Sequence, residues 1–223
     1  MSPPSTAPGL PLHSMLTPQP LDLGHNHPVA RIRRLTREQL PADMSEFIAV
    51  DERSDVELAV ASITGHRPDL AIPLGNFTRA LKARGVLPRR LIELVRLRIA
   101  FHNQCRSCMA IRYRDGIDDG VTEDLVCSLE RPEESEDLTD SEKVALEYAD
   151  LFATDHLSID DEIYERMHQH FTEGEIVELG MNVALYVGIG RLAATWNITE
   201  DLPDEFRGVE RIAPWTASHV VVR

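Results

Sequence analysis

The stretch Glu93-Leu-Val-Arg-Leu-Arg-Ile-Ala-Phe-His-Asn-Gln-Cys105-Arg-Ser-Cys108-Met-Ala-Ile-Arg112 holds two of the chain's three cysteines, spaced Cys-x-x-Cys. Pro88 stands just upstream, at the first turn of a helix predicted to reach about Phe101. Leu91, Ile92, Leu94, Val95, Leu97, Ile99 and Ala100 cover most of its circumference, so this helix is expected at the centre of an all-α fold. Glu93 shares a side with Leu97 and Ala100, where an acid must be paired, hydrogen-bonded or shifted in pKa. Asn103 to Cys105 interrupts the pattern, and a new helix is predicted from about Cys105 to Asp115. On such a helix Cys105, Cys108 and Arg112 lie on one face. The two thiols are then close enough for a disulfide, and the first-turn N–H groups and the Arg112 guanidinium favour thiolate.

The residues alone leave several readings open. A dithiol at a helix start suits redox chemistry. A zinc half-site would use His102 as third ligand at His-x-x-Cys-x-x-Cys spacing, but structural zinc takes four ligands and only Cys127 remains to supply one. Cysteine is also often a small buried hydrophobe, the expectation for Cys127 beside Val126 and Leu129. Glu93 has Arg89, Arg90, Arg96 and Arg98 within reach as ion-pair partners. Arg112 has Asp115 or Glu93, and His102 is as well placed to cap a helix C-terminus as to carry a proton.

Outward from this stretch, helical punctuation dominates. Thr36-Arg-Glu-Gln39 reads as a capping box opening a helix to about Phe47, and Asp51–Ile63 as a second helix stopped by Gly65. Pro68 opens a third, with Leu70, Leu74, Phe77 and Leu81 on one stripe until Gly85. Gly116 and Gly120 provide stops after the cysteines, a short helix runs from Val121 to Leu129, and Glu130–Asp137 is an acidic connection. Thr139–Glu142 and Thr172–Glu175 are further capping boxes, and Ser158–Asp161 opens the helix between them. In the last helix, Met181, Ala184, Leu185, Gly188 and Leu192 form a face suited to close approach by another helix. Residues 1–34 hold half of the chain's 14 prolines and read as a flexible arm; His13, His25 and His27 lie there. Residues 35–205 read as one domain and 206–223 as an irregular tail.

A net charge of -14 argues against nucleic acid and anionic membranes as partners. No apolar run is read as reaching the roughly 20 residues of a membrane span, and no basic-then-apolar leader is read at the start. Three cysteines do not make a disulfide framework, so a cytoplasmic, reducing location is expected.

Leu87-Pro-Arg-Arg-Leu-Ile-Glu93 and the residues through Cys108 resemble the core of the carboxymuconolactone decarboxylase superfamily, in its alkylhydroperoxidase D-like branch. The run there is a glutamate, eleven residues, Cys-x-x-Cys, three residues and a histidine; Glu93 to Cys105 has that spacing. Leu138-Thr-Asp-Ser-Glu-Lys-Val-Ala-Leu-Glu-Tyr-Ala-Asp150, Phe171-Thr-Glu-Gly-Glu-Ile-Val-Glu-Leu179 and Gly190-Arg191-Leu192 extend the likeness over roughly residues 35–205. The resemblance implies an all-α fold assembling as homo-trimers or homo-hexamers, with sites near subunit contacts. It implies peroxide reduction in which Cys108 attacks, Cys105 resolves, and Glu93 helps deprotonate the attacking thiol through a relay that includes the histidine. No bound cofactor is implied; an external dithiol, such as a lipoyl group on a reductant protein, regenerates the thiols. The chain departs from this pattern at Arg112, which stands where the histidine belongs and cannot pass a proton, and at Ser107, where some members place a second histidine. His102 is the remaining candidate for proton transfer. Two alternatives stand beside the peroxidase: a decarboxylase-like enzyme acting on a small organic acid or lactone, and a non-catalytic oligomer.

Overall fold

The computed structural model describes residues 30–208 and 210–223. The arm's histidines, His13, His25 and His27, lie outside these residues. Ala30 N–H donates to the Glu200 carboxylate, and Arg31 N–H donates to the Trp196 carbonyl.

Two helices expected between Thr36 and Ile63 are realised as short pieces: a 3-10 turn at Arg37–Gln39, α1 (Ala42–Ile48), a second 3-10 turn at Val50–Glu52, α2 (Asp55–Leu58) and α3 (Ala61–Thr64). The breaks have local causes. Pro41 interrupts the first, Ala49 turns left-handed at φ 52°, and Ser54 with Glu57 forms its own capping box and restarts the chain. The helix α4 (Pro68–Arg84) follows as expected, but none of its residues is buried. Leu70 and Phe77 are 58% and 45% exposed, so the apolar stripe read on this helix lies at the surface of the single chain. Gly75 lets α4 approach α1: a Cβ there would stand 2.5 Å from the Phe47 ring.

The helix α5 (Arg89–Asn103) is the central element, with Leu94, Val95, Leu97 and Ile99 wholly enclosed. It ends in a Schellman motif. Gln104 turns left-handed at φ 50°, its N–H donates to Phe101 O at 3.0 Å, and Cys105 N–H donates to Ala100 O at 3.1 Å. Glycine is the usual residue at such a turn; here the Gln104 amide is bonded to Phe101 O and to both backbone groups of Ile212. The turn delivers Cys105 as N-cap of α6 (Arg106–Ala110).

The helix expected to reach Asp115 ends at Ala110. Ile111 and Arg112 form a two-residue strand, β1, parallel to β2 (Val221–Val222), with Ile111 opposite Val221 and Arg112 opposite Val222. The competing bonds come from over a hundred residues downstream, where local periodicity carries no signal. The chain continues through α7 (Arg114–Asp118), α8 (Glu123–Cys127), α9 (Asp140–Thr154), α10 (Asp161–His168) and α11 (Glu173–Trp196). The capping boxes at Thr139–Glu142 and Thr172–Glu175 both form.

The helices α9 and α11 pack on α5, joining Leu94, Leu97, Leu146, Leu179 and Val183 in one core. At 24 residues, with a mean hydropathy of 1.4 over its most apolar window, α11 is long and apolar enough to cross a membrane by length and composition. The expectation of no such run therefore fails for this helix, although here it supplies a face of the protein core. That face is Ile176, Leu179, Val183, Val187 and Gly190. Met181 and Leu192 are instead 47% and 44% exposed, and no atom lies within 4 Å of a Cβ built on Gly188. Of the small-residue face, Met181, Ala184, Gly188 and Leu192 are exposed and only Leu185 is half-buried. After α11 the segment read as an irregular tail lies against the body. Leu202 and Phe206 bury against Ala100, Met109 and Ala110, and Trp215 stacks 4.6 Å from the Phe101 ring.

Candidate functional site: a dithiol on the wall of an apolar cavity

Cys105 and Cys108 are joined as a disulfide with Cα atoms 5.2 Å apart, within the range such bonds require. The α5 turn and the short α6 place them differently. Cys105 is wholly buried, with Ser107 Oγ 3.6 Å from its sulfur. Cys108 is half-buried and lines a cavity of about 650 Å³ bounded by α1–α6, α11 and Arg223. Phe47, Val56, Leu74, Leu185, Ile189 and Trp196 make much of that cavity apolar.

Beneath the dithiol lies a buried ion pair. Glu93 accepts from Arg96 Nε and Nη2, both at 2.7 Å, and from Tyr113 N–H at 3.0 Å. The rest of the guanidinium reaches α6 and β1: Nη1 donates to Cys108 O and Nη2 to Ile111 O, each at 2.7 Å. Burial opposes the Arg96 charge, but Glu93 outweighs it and pushes the pKa up. The Tyr113 ring lies 4.6 Å from the same guanidinium. Gly116 is required here, because a Cβ would fall 2.8 Å from the Glu93 Cβ.

Of the five residues singled out in the sequence, the structure brings three together: Cys105, Cys108 and, through Arg96, Glu93. It takes the other two elsewhere. Arg112 leaves the cysteine face because α6 stops before it. It is fully enclosed, paired with both Glu123 oxygens at 3.0 Å, and donates to Met109 O at 2.8 Å and Pro214 O at 2.9 Å. Its partner is Glu123 rather than Asp115 or Glu93; Asp115 pairs with Lys82 at 2.8 Å. His102 Nε2 lies 2.7 Å from Asp150 Oδ1, and Arg98 grips both oxygens of that carboxylate. Burial works against the Asp150 charge, yet the bonds from His102 and Arg98 prevail and hold its pKa below the ordinary value. Cys127, expected to be buried, is exposed, with Trp215 O 3.6 Å from its sulfur. Among the described residues no cluster of three or more His, Cys, Asp or Glu is arranged to hold a metal, so the zinc reading gains no ligand set.

Sequence reasoning missed Tyr113, Tyr186 and Arg223 on the cavity wall, and named Arg96 only as a candidate partner of Glu93. Arg96, one turn after Glu93, was one arginine of four in reach. Arg223 had no signal, since it arrives through the β1–β2 pairing.

Residues 68–151 match the carboxymuconolactone decarboxylase family. Two uncharacterized proteins of Mycobacterium tuberculosis, from strains CDC 1551 and H37Rv, are each 34% identical over 121 residues, 53% of this chain. The match spans 42% of the length of those relatives. Among solved structures, an alkylhydroperoxidase AhpD core, an uncharacterized peroxidase-related protein from Ralstonia eutropha, aligns with a TM-score of 0.63. Its identity is 19%, over 84% of this chain and all of the other. An AhpD-type protein of unknown function from Agrobacterium tumefaciens aligns at 0.54, with 20% identity over 63% of this chain and 94% of that one. Residues 68–151 thus carry the likeness to the carboxymuconolactone decarboxylase family, and the chain shares the all-α fold of the two AhpD-type structures.

Proposed function

We propose that the protein is a thiol-dependent peroxidase that reduces organic hydroperoxides through Cys108 and Cys105. The observation that carries this is the asymmetry of the pair: the Cys108 side chain borders a largely apolar cavity while Cys105 is wholly enclosed behind it. In the reduced protein the Cys108 thiolate attacks the outer peroxide oxygen, the O–O bond breaks, and the sulfur becomes a sulfenic acid as an alcohol forms. The Cys105 thiolate then attacks that sulfur, giving the disulfide and releasing water. An external dithiol, such as a lipoyl group, returns both sulfurs to thiols and is itself oxidised. The acid–base chemistry of a decarboxylase is less well supported, because both Glu93 oxygens are taken by Arg96. Assembly as a homo-trimer or homo-hexamer belongs to the same proposal; it would cover Leu70 and Phe77 on α4 and Met181 and Leu192 on α11, all exposed in one chain.

The test is consumption of an organic hydroperoxide with a dithiol donor, comparing wild type with Cys108→Ser and Cys105→Ser. Cys108→Ser should lose turnover. Cys105→Ser should give a single stoichiometric oxidation and then stop. Equal rates in wild type and Cys108→Ser would sink the proposal.

A further inference from the structure

Thiol attack on an alkyl hydroperoxide expels an alkoxide, which needs a proton as the O–O bond breaks. The residues the sequence nominated to move protons are committed elsewhere, Glu93 to Arg96 and His102 to Asp150, and Arg112, which cannot pass one, is paired with Glu123. Among the cavity's carboxylates, Asp115 pairs with Lys82, Glu57 with Arg53, and Glu178 accepts from Val86 and Leu87 N–H.

Two phenols remain on the wall, Tyr113 and Tyr186. The ring of Tyr113 stands among the charges of Arg96, Lys82 and Arg223, 4.6, 5.6 and 5.8 Å from its centroid. Tyr186, on α11, is half-buried, and burial pushes its pKa up, so it stays protonated at working pH. Its hydroxyl makes no hydrogen bond among the described residues, although the charges of Arg96, Glu93 and Asp115 all act on it. The same Arg96 holds the Cys108 carbonyl at 2.7 Å. The hydroxyl is not among the fully enclosed polar atoms that lack a partner, so it stays open to a ligand in the cavity that Tyr186 and Cys108 both line.

Resting on the peroxidase reading above, we propose that Tyr186 is the proton donor to the oxygen expelled when Cys108 attacks an alkyl hydroperoxide. The Cys108 thiolate forms an S–O bond to the outer oxygen, the O–O bond breaks, and the departing RO⁻ takes the Tyr186 hydroxyl proton to leave as ROH. An alkoxide is a stronger base than a phenolate, so the transfer runs downhill. The tyrosinate regains from solvent the proton that the Cys108 thiol released beforehand. Overall one thiol and one hydroperoxide become one sulfenic acid and one alcohol, with sulfur oxidised by two electrons.

The experiment compares two oxidants on the reduced protein, cumene hydroperoxide and peracetic acid, following Cys108 oxidation by stopped flow. Peracetic acid expels a carboxylate, which leaves without a proton. Tyr186→Phe should lower the cumene hydroperoxide rate about 100-fold, the scale of general acid catalysis, and the peracetic acid rate less than about threefold. An equal loss with both oxidants would make Tyr186 structural and overturn the inference, as would a variant that fails to fold. A selective loss in Tyr113→Phe instead would assign the proton to the other phenol. Failure of wild type with both oxidants is a separate outcome, and it would remove the peroxidase reading itself.

Discussion

Glu93 and Arg96, one turn apart on α5, hold each other through two 2.7 Å hydrogen bonds with both side chains buried. The pair is also the mechanical link between α5 and the dithiol, since Arg96 carries the Cys108 and Ile111 carbonyls. Removing one partner strands a charge in a site built for two. Arg96→Met should therefore cost about 3–5 kcal/mol in urea unfolding. Glu93→Gln/Arg96→Met should lose less than the sum of the two single changes. Additive losses would show that the two residues act independently.

Restoring a histidine at position 112 should not create a proton relay. Arg112 is wholly enclosed and faces Glu123 and Pro214, away from the cysteines. Arg112→His leaves buried carbonyls of Met109 and Pro214 unpaired at about 1–3 kcal/mol each. A lower melting temperature and no gain in peroxide turnover are expected. Increased turnover would mean that this side chain can reach the dithiol.

Acid should weaken the α5–α9 contact through Asp150. Its pKa is lower folded than unfolded, so the stability it contributes is fully present above the unfolded value, about 3.9. That contribution is lost as pH falls through the lower folded value. Asp150→Asn should flatten the acid limb of a stability–pH curve below about pH 4. An unchanged limb would place the acid sensitivity elsewhere.

How much of this was legible depended on range. The central helix, Pro88, the Cys-x-x-Cys and the capping boxes at Thr139 and Thr172 are local signals, and the structure follows them. The pairing of Glu93 was narrowed to four arginines; helix spacing sets aside only Arg98, and Arg96 is the partner because Arg90 pairs with Glu142 and Arg89 donates to Lys82 O. What failed was long-range or rotational. The strand that ends α6 needs Val221 and Val222, and nothing near Arg112 announces them. The buried face of α11 was misassigned because the helix is apolar nearly all round, so periodicity cannot orient it. Leu70 and Phe77 show the same limit: a stripe reveals amphipathicity, not what covers it.

The three cysteines should separate into three classes of reactivity. In the oxidised protein only Cys127 is a free thiol, and it is exposed. Native titration with a chromogenic disulfide reagent should therefore find one fast equivalent. After reduction, Cys108 should react next, because reagent can approach it only along a cavity that admits small apolar molecules. Cys105, with no exposed surface, should react last and only on local opening of α6. Mild treatment with organic hydroperoxide should then return the native count from three equivalents to one. A count that stays at three, or mass spectra showing sulfinic acid at Cys108 without the disulfide, would remove Cys105 from the resolving role while leaving Cys108 as the site of attack.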